Sequence, residues 1–259
     1  MTDTIDCHYE IEGDGPPLIL IHGIGAGCDA WRFMRAELAR HFTVVCYDLR
    51  GHGQSPAVAP GFGLDELVND LERVRERCGF DAVHLAGHSL GGMIGPAYAR
   101  RHPTRVCSLG LLSTAAFRTD DDAAKVWAVV DAMTEQGIPE VLPRLSDRWF
   151  TDDFIAANPD IVERRMQQVL ATDPEVFLNV FRIYALTEMQ PWLSEVEAPS
   201  LVLTGELDGG CNPRLNRQIA DALPNAELQI LPELKHAILL EAPDAVTAAL
   251  IRFIQAHAR

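Results

Sequence analysis

Residues 87–91 read Gly87-His88-Ser89-Leu90-Gly91, with Gly92 next, a G-x-S-x-G pentad. It follows the apolar run Ala82–Ala86, which has the composition of a buried strand. It opens onto Leu90–His102, which reads as a helix with small residues packed close. A strand, a tight turn and a helix in that order are the setting in which such a serine is held on strained backbone with its hydroxyl projecting off a sheet. The spacing has a steric reason, because a side chain at position 87 or 91 would collide with the neighbouring strand and helix. The same turn sets the amide of Leu90 at a helix N-terminus, where the N–H and the helix dipole can stabilise an oxyanion. A serine that only caps a helix after a glycine turn would look similar in isolation, and the flanking strand and helix favour a nucleophile at Ser89.

The rest of the chain repeats this alternation. Apolar, β-type runs lie at Ile5–Ile11, Leu18–His22, Thr43–Leu49, Val106–Leu112, Leu201–Thr204 and Glu227–Leu231. Helical periodicity lies near Asp29–His41, Leu64–Cys78, Pro213–Leu223 and Asp244–His257. Strands that are apolar on both faces and alternate with helices predict a mostly parallel sheet covered on both sides. The turn signal Gly13-Asp14-Gly15-Pro16-Pro17 predicts an N-terminal hairpin as its antiparallel part. From about Ala115 to Gln190 the alternation stops. That stretch has helical patterns, no convincing strand, and Trp127, Trp149, Phe150, Phe154, Phe177, Phe181 and Tyr184. An aromatic-rich helical insertion of this kind suits a lid over a site, and a lid also needs an apolar underside that packs on the core.

The length of 259 residues is ample for one large domain or one domain with an insertion. Acidic residues outnumber basic ones 37 to 22, a formal charge of −15 that repels phosphate backbones and argues against a nucleic-acid partner. The six cysteines are not paired as C-x-x-C and do not stand at zinc-ligand spacing with histidine, so no metal is expected. The polar, acidic start lacks the order of a signal peptide, and no apolar run reaches membrane-spanning length. The expectation is a soluble protein of a reducing compartment, most simply the cytoplasm, with no membrane partner. Glycines at 23, 25 and 27 lack both the Lys-Ser/Thr of a P-loop and G-x-G-x-x-G spacing, which removes nucleotide binding.

Four motifs in order, HGIGA at 22–26, YDLRGHGQS at 47–55, GHSLGG at 87–92 and a late Asp and His, resemble the α/β-hydrolase family over nearly the whole length. The resemblance implies an eight-stranded, mostly parallel sheet with helices on both faces. It also implies a helical cap, residues 115–190, inserted before the last two strands of a core formed by 1–114 and 191–259. It places the base at His236, just after the strand LQILPEL, and the orienting acid at Asp208 in Thr204-Gly205-Glu206-Leu207-Asp208, with Glu206 as the nearby competitor. The order Ser89, Asp208, His236 agrees with this fold. The second oxyanion amide is implied at Ile24, beside that of Leu90, with His22 bonding the loop backbone. The other histidines, His52, His84 and His88 among them, are expected to be structural or solvated.

Such a triad performs acyl transfer, and no cofactor is called for. The core and, more loosely, the insertion are similar to 3-oxoadipate enol-lactonases, which implies a small-molecule carboxylic ester or (enol-)lactone substrate. An enol-lactone bears a carboxylate that needs a cation, for which Arg144, Arg148, Arg164 and Arg165 are available. Trp127, Trp149 and Arg148 are the expected pocket residues. The same fold also carries meta-cleavage C–C hydrolases, cofactor-free perhydrolases and, in a different class, ligand receptors.

Overall fold

The computed structural model describes residues 4–257. Residues 1–3 and 258–259 of the expected core lie outside that range. The strands are β1 (Tyr9–Glu12), β2 (Pro17–Ile21), β3 (Thr43–Tyr47), β4 (Val83–His88), β5 (Val106–Leu112), β6 (Ser200–Gly205) and β7 (Ala226–Leu231). The α-helices of the first half are α1 (Arg35–Leu38), α2 (Leu64–Arg77) and α3 (Gly91–Arg101). Five follow β5: α4 (Asp120–Gln136), α5 (Ile138–Trp149), α6 (Asp152–Ala157), α7 (Pro159–Ala171) and α8 (Pro174–Leu186). The chain closes with α9 (Pro213–Ala222), α10 (Ile238–Glu241) and α11 (Pro243–Ala256). No described helix is long and apolar enough to cross a membrane.

The strands form one sheet in the order β1-β3-β2-β4-β5-β6-β7, parallel except for β1. Side chains on a strand alternate between faces, and β2 shows the result. Ile19 and Ile21 join a cluster with Leu67 and Leu71 of α2 and Met93 and Tyr98 of α3, while Leu18 and Leu20 join another with Trp31, Leu38 of α1 and Leu250 and Phe253 of α11. Both faces are therefore covered, as continuous apolar strands require.

Two expectations change. The described residues hold seven strands, not eight, and the N-terminal hairpin does not form. β1 and β2 flank β3 without pairing: β1 runs antiparallel to β3 and β2 parallel to it. The main chain ahead of β1 is satisfied by side chains instead of a ladder. Ile5 N–H donates to Asp70 Oδ1 at 3.0 Å, His8 N–H to Ser55 Oγ at 2.9 Å, and Arg77 Nη1 to the Cys7 carbonyl at 2.8 Å. These groups need no further strand to satisfy them. The single helix expected near 29–41 is a 3₁₀ turn, Cys28–Trp31, followed by the one turn of α1.

The five-helix insert joins β5 to β6, which are parallel neighbours in the sheet. It is bonded to the loop following β7 and to α10. Ala237 N–H donates to the Trp149 carbonyl at 2.8 Å, and Thr151 Oγ1 donates to Glu241 Oε2 at 2.6 Å.

Candidate active site

Four loops meet at the carboxyl ends of β2, β4, β6 and β7, the usual place for ligands in an open α/β sheet. The turn after β4 holds Ser89 at φ 56°, a left-handed conformation that non-glycine residues rarely adopt. The strain is offset locally. Ser89 N–H donates to the Leu112 carbonyl at 2.8 Å, and its own carbonyl accepts from Thr114 Oγ1 at 2.9 Å and Gly92 N–H at 3.0 Å. A Cβ at position 87 would strike the Gly91 carbonyl, and one at 91 would strike the Ile21 carbonyl, so both glycines are dictated by close approach.

Asp208 follows β6 and is buried. Its Oδ1 accepts the amides of Gly210 at 3.0 Å and Cys211 at 2.8 Å, and its Oδ2 accepts His236 Nδ1–H at 2.7 Å. Burial disfavours ionising the carboxyl, but the His236 contact and the two amides outweigh it and hold Asp208 below the ordinary carboxylate range. In the same way burial opposes the imidazolium at His236, and the Asp208 charge overrides it to raise the imidazole above its ordinary value. Glu206 is exposed and accepts the Glu233 amide at 3.1 Å, so the competing carboxylate is engaged elsewhere. Asp208, Cys211 and His236 offer ligand atoms within 4.8 Å of one another, yet Asp208 Oδ2 and His236 Nδ1 already serve each other.

Ser89, Asp208 and His236 line one cavity. The Ser89 hydroxyl and the His236 ring share it without a direct hydrogen bond, a contact that commonly tightens only with substrate in place. His88 fixes the approach: its Nε2–H donates to the His236 carbonyl at 3.0 Å, with ring centroids 4.9 Å apart. Burial pushes His88 down to about 3, so it stays neutral.

The loop after β2 is braced from three sides. His22 Nε2 accepts the Leu49 amide at 2.9 Å, and His52 Nε2 accepts the Gly25 amide at 3.2 Å. Burial holds both rings below the ordinary imidazole value. From α7, Arg165 donates Nη2–H to the Ile24 carbonyl at 2.8 Å and Nη1–H to the Gly25 carbonyl at 2.6 Å, with its guanidinium 4.9 Å from the Trp149 ring centroid. Without a carboxylate partner, burial lowers Arg165 to about 10. The amides of Ile24 and Leu90 donate to no acceptor among the described residues.

A model of the alpha/beta hydrolase fold matches residues 16–243. The chain belongs to the α/β-hydrolase fold family. The (E)-2-((N-methylformamido)methylene)succinate hydrolase of Acinetobacter baylyi is 28% identical over 252 residues, covering 96% of this chain and 94% of that one. The 3-oxoadipate enol-lactonase 2 of the same organism is 26% identical over 239 residues, covering 92% and 88%. The crystal structure of the enol-lactonase from Burkholderia xenovorans LB400 superimposes with a TM-score of 0.89 at 25% identity, covering 96% of each chain.

Of the pocket residues expected of this α/β-hydrolase, Trp149 and Arg148 line the cavity and Trp127 does not. On α4 the lining positions include Asp122, Lys125, Val126 and Val129, one helical face, and Trp127 packs on the main apolar cluster instead. Phe150, Phe181 and Tyr184 line the cavity as well. Arg164 pairs with Asp29 and Arg144 with Gln136, both on the surface. Sequence reasoning missed Arg118, Cys211 and the role of Arg165. None stands in a motif: Cys211 reaches the cavity on the same loop after β6 as Asp208, Arg118 on the exit from β5, and Arg165 through the position of α7 over the sheet.

Proposed function

We propose that the chain is a serine hydrolase that cleaves a small carboxylic ester or lactone through an acyl-enzyme on Ser89. The observation that carries this reading is the 2.7 Å bond from His236 Nδ1–H to the buried Asp208 carboxylate, in the cavity that also holds Ser89 on its left-handed turn. With Nδ1 committed as donor, Nε2 is the nitrogen left to act as base.

Ser89 Oγ attacks the carbonyl carbon as its proton passes to His236 Nε2, and Asp208 stabilises the imidazolium that forms. The amides of Ile24 and Leu90 receive the oxyanion. Collapse breaks the bond to the leaving oxygen, which takes the proton from His236. Water then repeats the attack on the acyl-enzyme, giving up its proton to His236, and the free acid departs as Ser89 regains its hydrogen. Residues 115–190 act as a cap that closes this chamber and sets specificity, a reading supported by Trp149, Phe150, Phe181 and Tyr184 on its walls.

A fluorophosphonate probe is expected to label the wild-type chain and not Ser89→Ala. In a kcat/KM panel of short esters, lactones and ring-fission dienoates, the esters and lactones should be turned over fastest. Equal labelling of both proteins, or turnover confined to the dienoates, overturns the proposal.

A further inference from the structure

Two strand exits carry the nucleophile turn and the acid, and one side chain from a third element joins them. At the exit of β5, Ser113 stands at φ 44°, a left-handed conformation. Beside it, Thr114 donates Oγ1–H to the Ser89 carbonyl and so steadies the nucleophile turn. At the exit of β6, the amide of Cys211 donates to Asp208 Oδ1 and so aims the acid. The main-chain carbonyls of Thr114 and Cys211 converge on Asn216 of α9. Its Nδ2 donates to the Thr114 carbonyl at 3.0 Å, to the Cys211 carbonyl at 2.7 Å and to the Asn212 carbonyl at 3.1 Å. Thr204 Oγ1 also donates to the Cys211 carbonyl, at 2.8 Å.

Asn216 is fully buried. Its orientation is dictated by its acceptors: the amide nitrogen has two hydrogens to share among three carbonyls, and a flipped amide would set an oxygen against all three. In this orientation Oδ1 is buried and meets no donor among the described residues. An orphaned buried oxygen is a cost to the folded state that an aliphatic side chain would not bear. What an aliphatic side chain cannot do is hold the two exits on one nitrogen.

We propose that Asn216 is a positioning residue of the triad: by gripping the Thr114 and Cys211 carbonyls together it sets the exit of β5 against the exit of β6, and so keeps Asp208 aimed at a base that must reach Ser89. This rests on the hydrolase reading for the reacting carbonyl, but the register of the two loops stands on the bonds of the amide alone. Without them the Cys211 amide is free to drift from Asp208 Oδ1, the carboxylate gains room to turn, and its bond to His236 Nδ1–H loosens. The displacement need not be large, because a misplacement of about 1 Å in a reacting group costs about a hundredfold in rate.

The test is Asn216→Leu, which removes the donors at similar volume. On a short neutral ester, kcat is expected to fall about ten- to a hundredfold with KM within about threefold. The ascending limb of kcat/KM should move to lower pH, since a looser Asp208 raises His236 less. Asn216→Asp is isosteric, and burial among carbonyls keeps its carboxyl protonated with one donor, so it should recover part of the loss. Ile219→Val, in the same core on α9, lowers Tm without touching either loop and should keep kcat within about twofold. If Asn216→Leu does not fold, Asn216→Asp and Asn216→Ser carry the same comparison. Proton NMR of His236 Nδ1–H, a downfield resonance sheltered by its bond to Asp208, reads the aim of the acid with no substrate present. In Asn216→Leu that resonance should move upfield or broaden, and His236 should titrate lower by about 0.5 or more. Such a change supports the inference even in a chain that hydrolyses no ester, an outcome that sinks only the acyl-enzyme reading. An Asn216→Leu protein that melts lower, yet keeps the His236 resonance and titration of the wild type, is merely less stable and overturns it.

Discussion

Replacing Arg165 with methionine tests whether the insert holds the proposed oxyanion loop in place. The side chain makes two bonds to main-chain carbonyls, 2.8 Å to Ile24 and 2.6 Å to Gly25, and lies over Trp149. Each bond from a charged donor is worth about 1.5–3 kcal/mol, a gross loss of roughly 3–6 kcal/mol. Against this, methionine relieves the burial of a guanidinium that has no carboxylate partner, which offsets about half. A net loss of about 2–3 kcal/mol lowers Tm by about 5–10 °C for a chain of this size. Catalysis should suffer separately. Loss of one oxyanion donor costs about 10²–10³ in kcat, and a loosened donor about 10–100-fold. The assays are a thermal melt and initial rates on a short neutral ester, with Arg165→Lys expected to fall between the two proteins. A variant that melts lower by the stated amount and keeps kcat within about twofold, well short of an oxyanion-donor loss, refutes the positional role and leaves Arg165 a structural staple.

Asp208→Asn removes the charge that raises His236, so the imidazole pKa falls, the ascending limb of kcat/KM moves to lower pH, and the plateau drops by about 10³–10⁴; a pH–rate profile with an unmoved limb contradicts the assignment. Gly91→Ala drives a methyl group into the Ile21 carbonyl and should cost more than about 4 kcal/mol, read as insolubility or a large fall in Tm; a near-normal melt would show that the turn has room. Arg50 holds the buried Asp70 through Nε at 2.6 Å and Nη2 at 2.8 Å, so Arg50→Met strands a carboxylate at a cost of about 3–5 kcal/mol. Burial already raises Asp70, and without Arg50 its folded pKa rises further above the unfolded value. The folded form then binds the extra proton, so the deficit against wild type should shrink as pH falls; denaturant melts at several pH values check the sign.

What the sequence made legible follows from how local each cause is. The nucleophile turn is written in two glycines whose absent side chains are answered by carbonyls one turn or one strand away. The parallel core is legible because Leu18–Ile21 is apolar at every position, which only a sheet covered on both faces satisfies. The choice between Asp208 and Glu206 could not be made from residue type alone, since the two differ in which loop amides reach them. The N-terminal turn has the composition of a hairpin, but which edge β1 joins depends on where β3 has already settled. Trp127 and Trp149 look equivalent in the sequence, and only the places they take on α4 and α5 separate them: Trp127 lies off the α4 face that lines the cavity, and Trp149 ends α5 at its wall. Arg118 and Arg165 lie in ordinary polar surroundings along the chain, and their burial is a tertiary fact.

The two strands that flank the five-helix insert are hydrogen-bonded to each other, so the excursion leaves the sheet and returns to it one strand over. Its entry and exit therefore lie side by side, and the scaffold's register is indifferent to the length and content of what lies between. Such a segment is exchangeable: on the proposed reading, a foreign helical cassette in place of α4–α8 would rewrite which substrates are admitted, provided it also replaced the grip of Arg165 on the Ile24 and Gly25 carbonyls and the bonds that Trp149 and Thr151 make to the segment carrying His236.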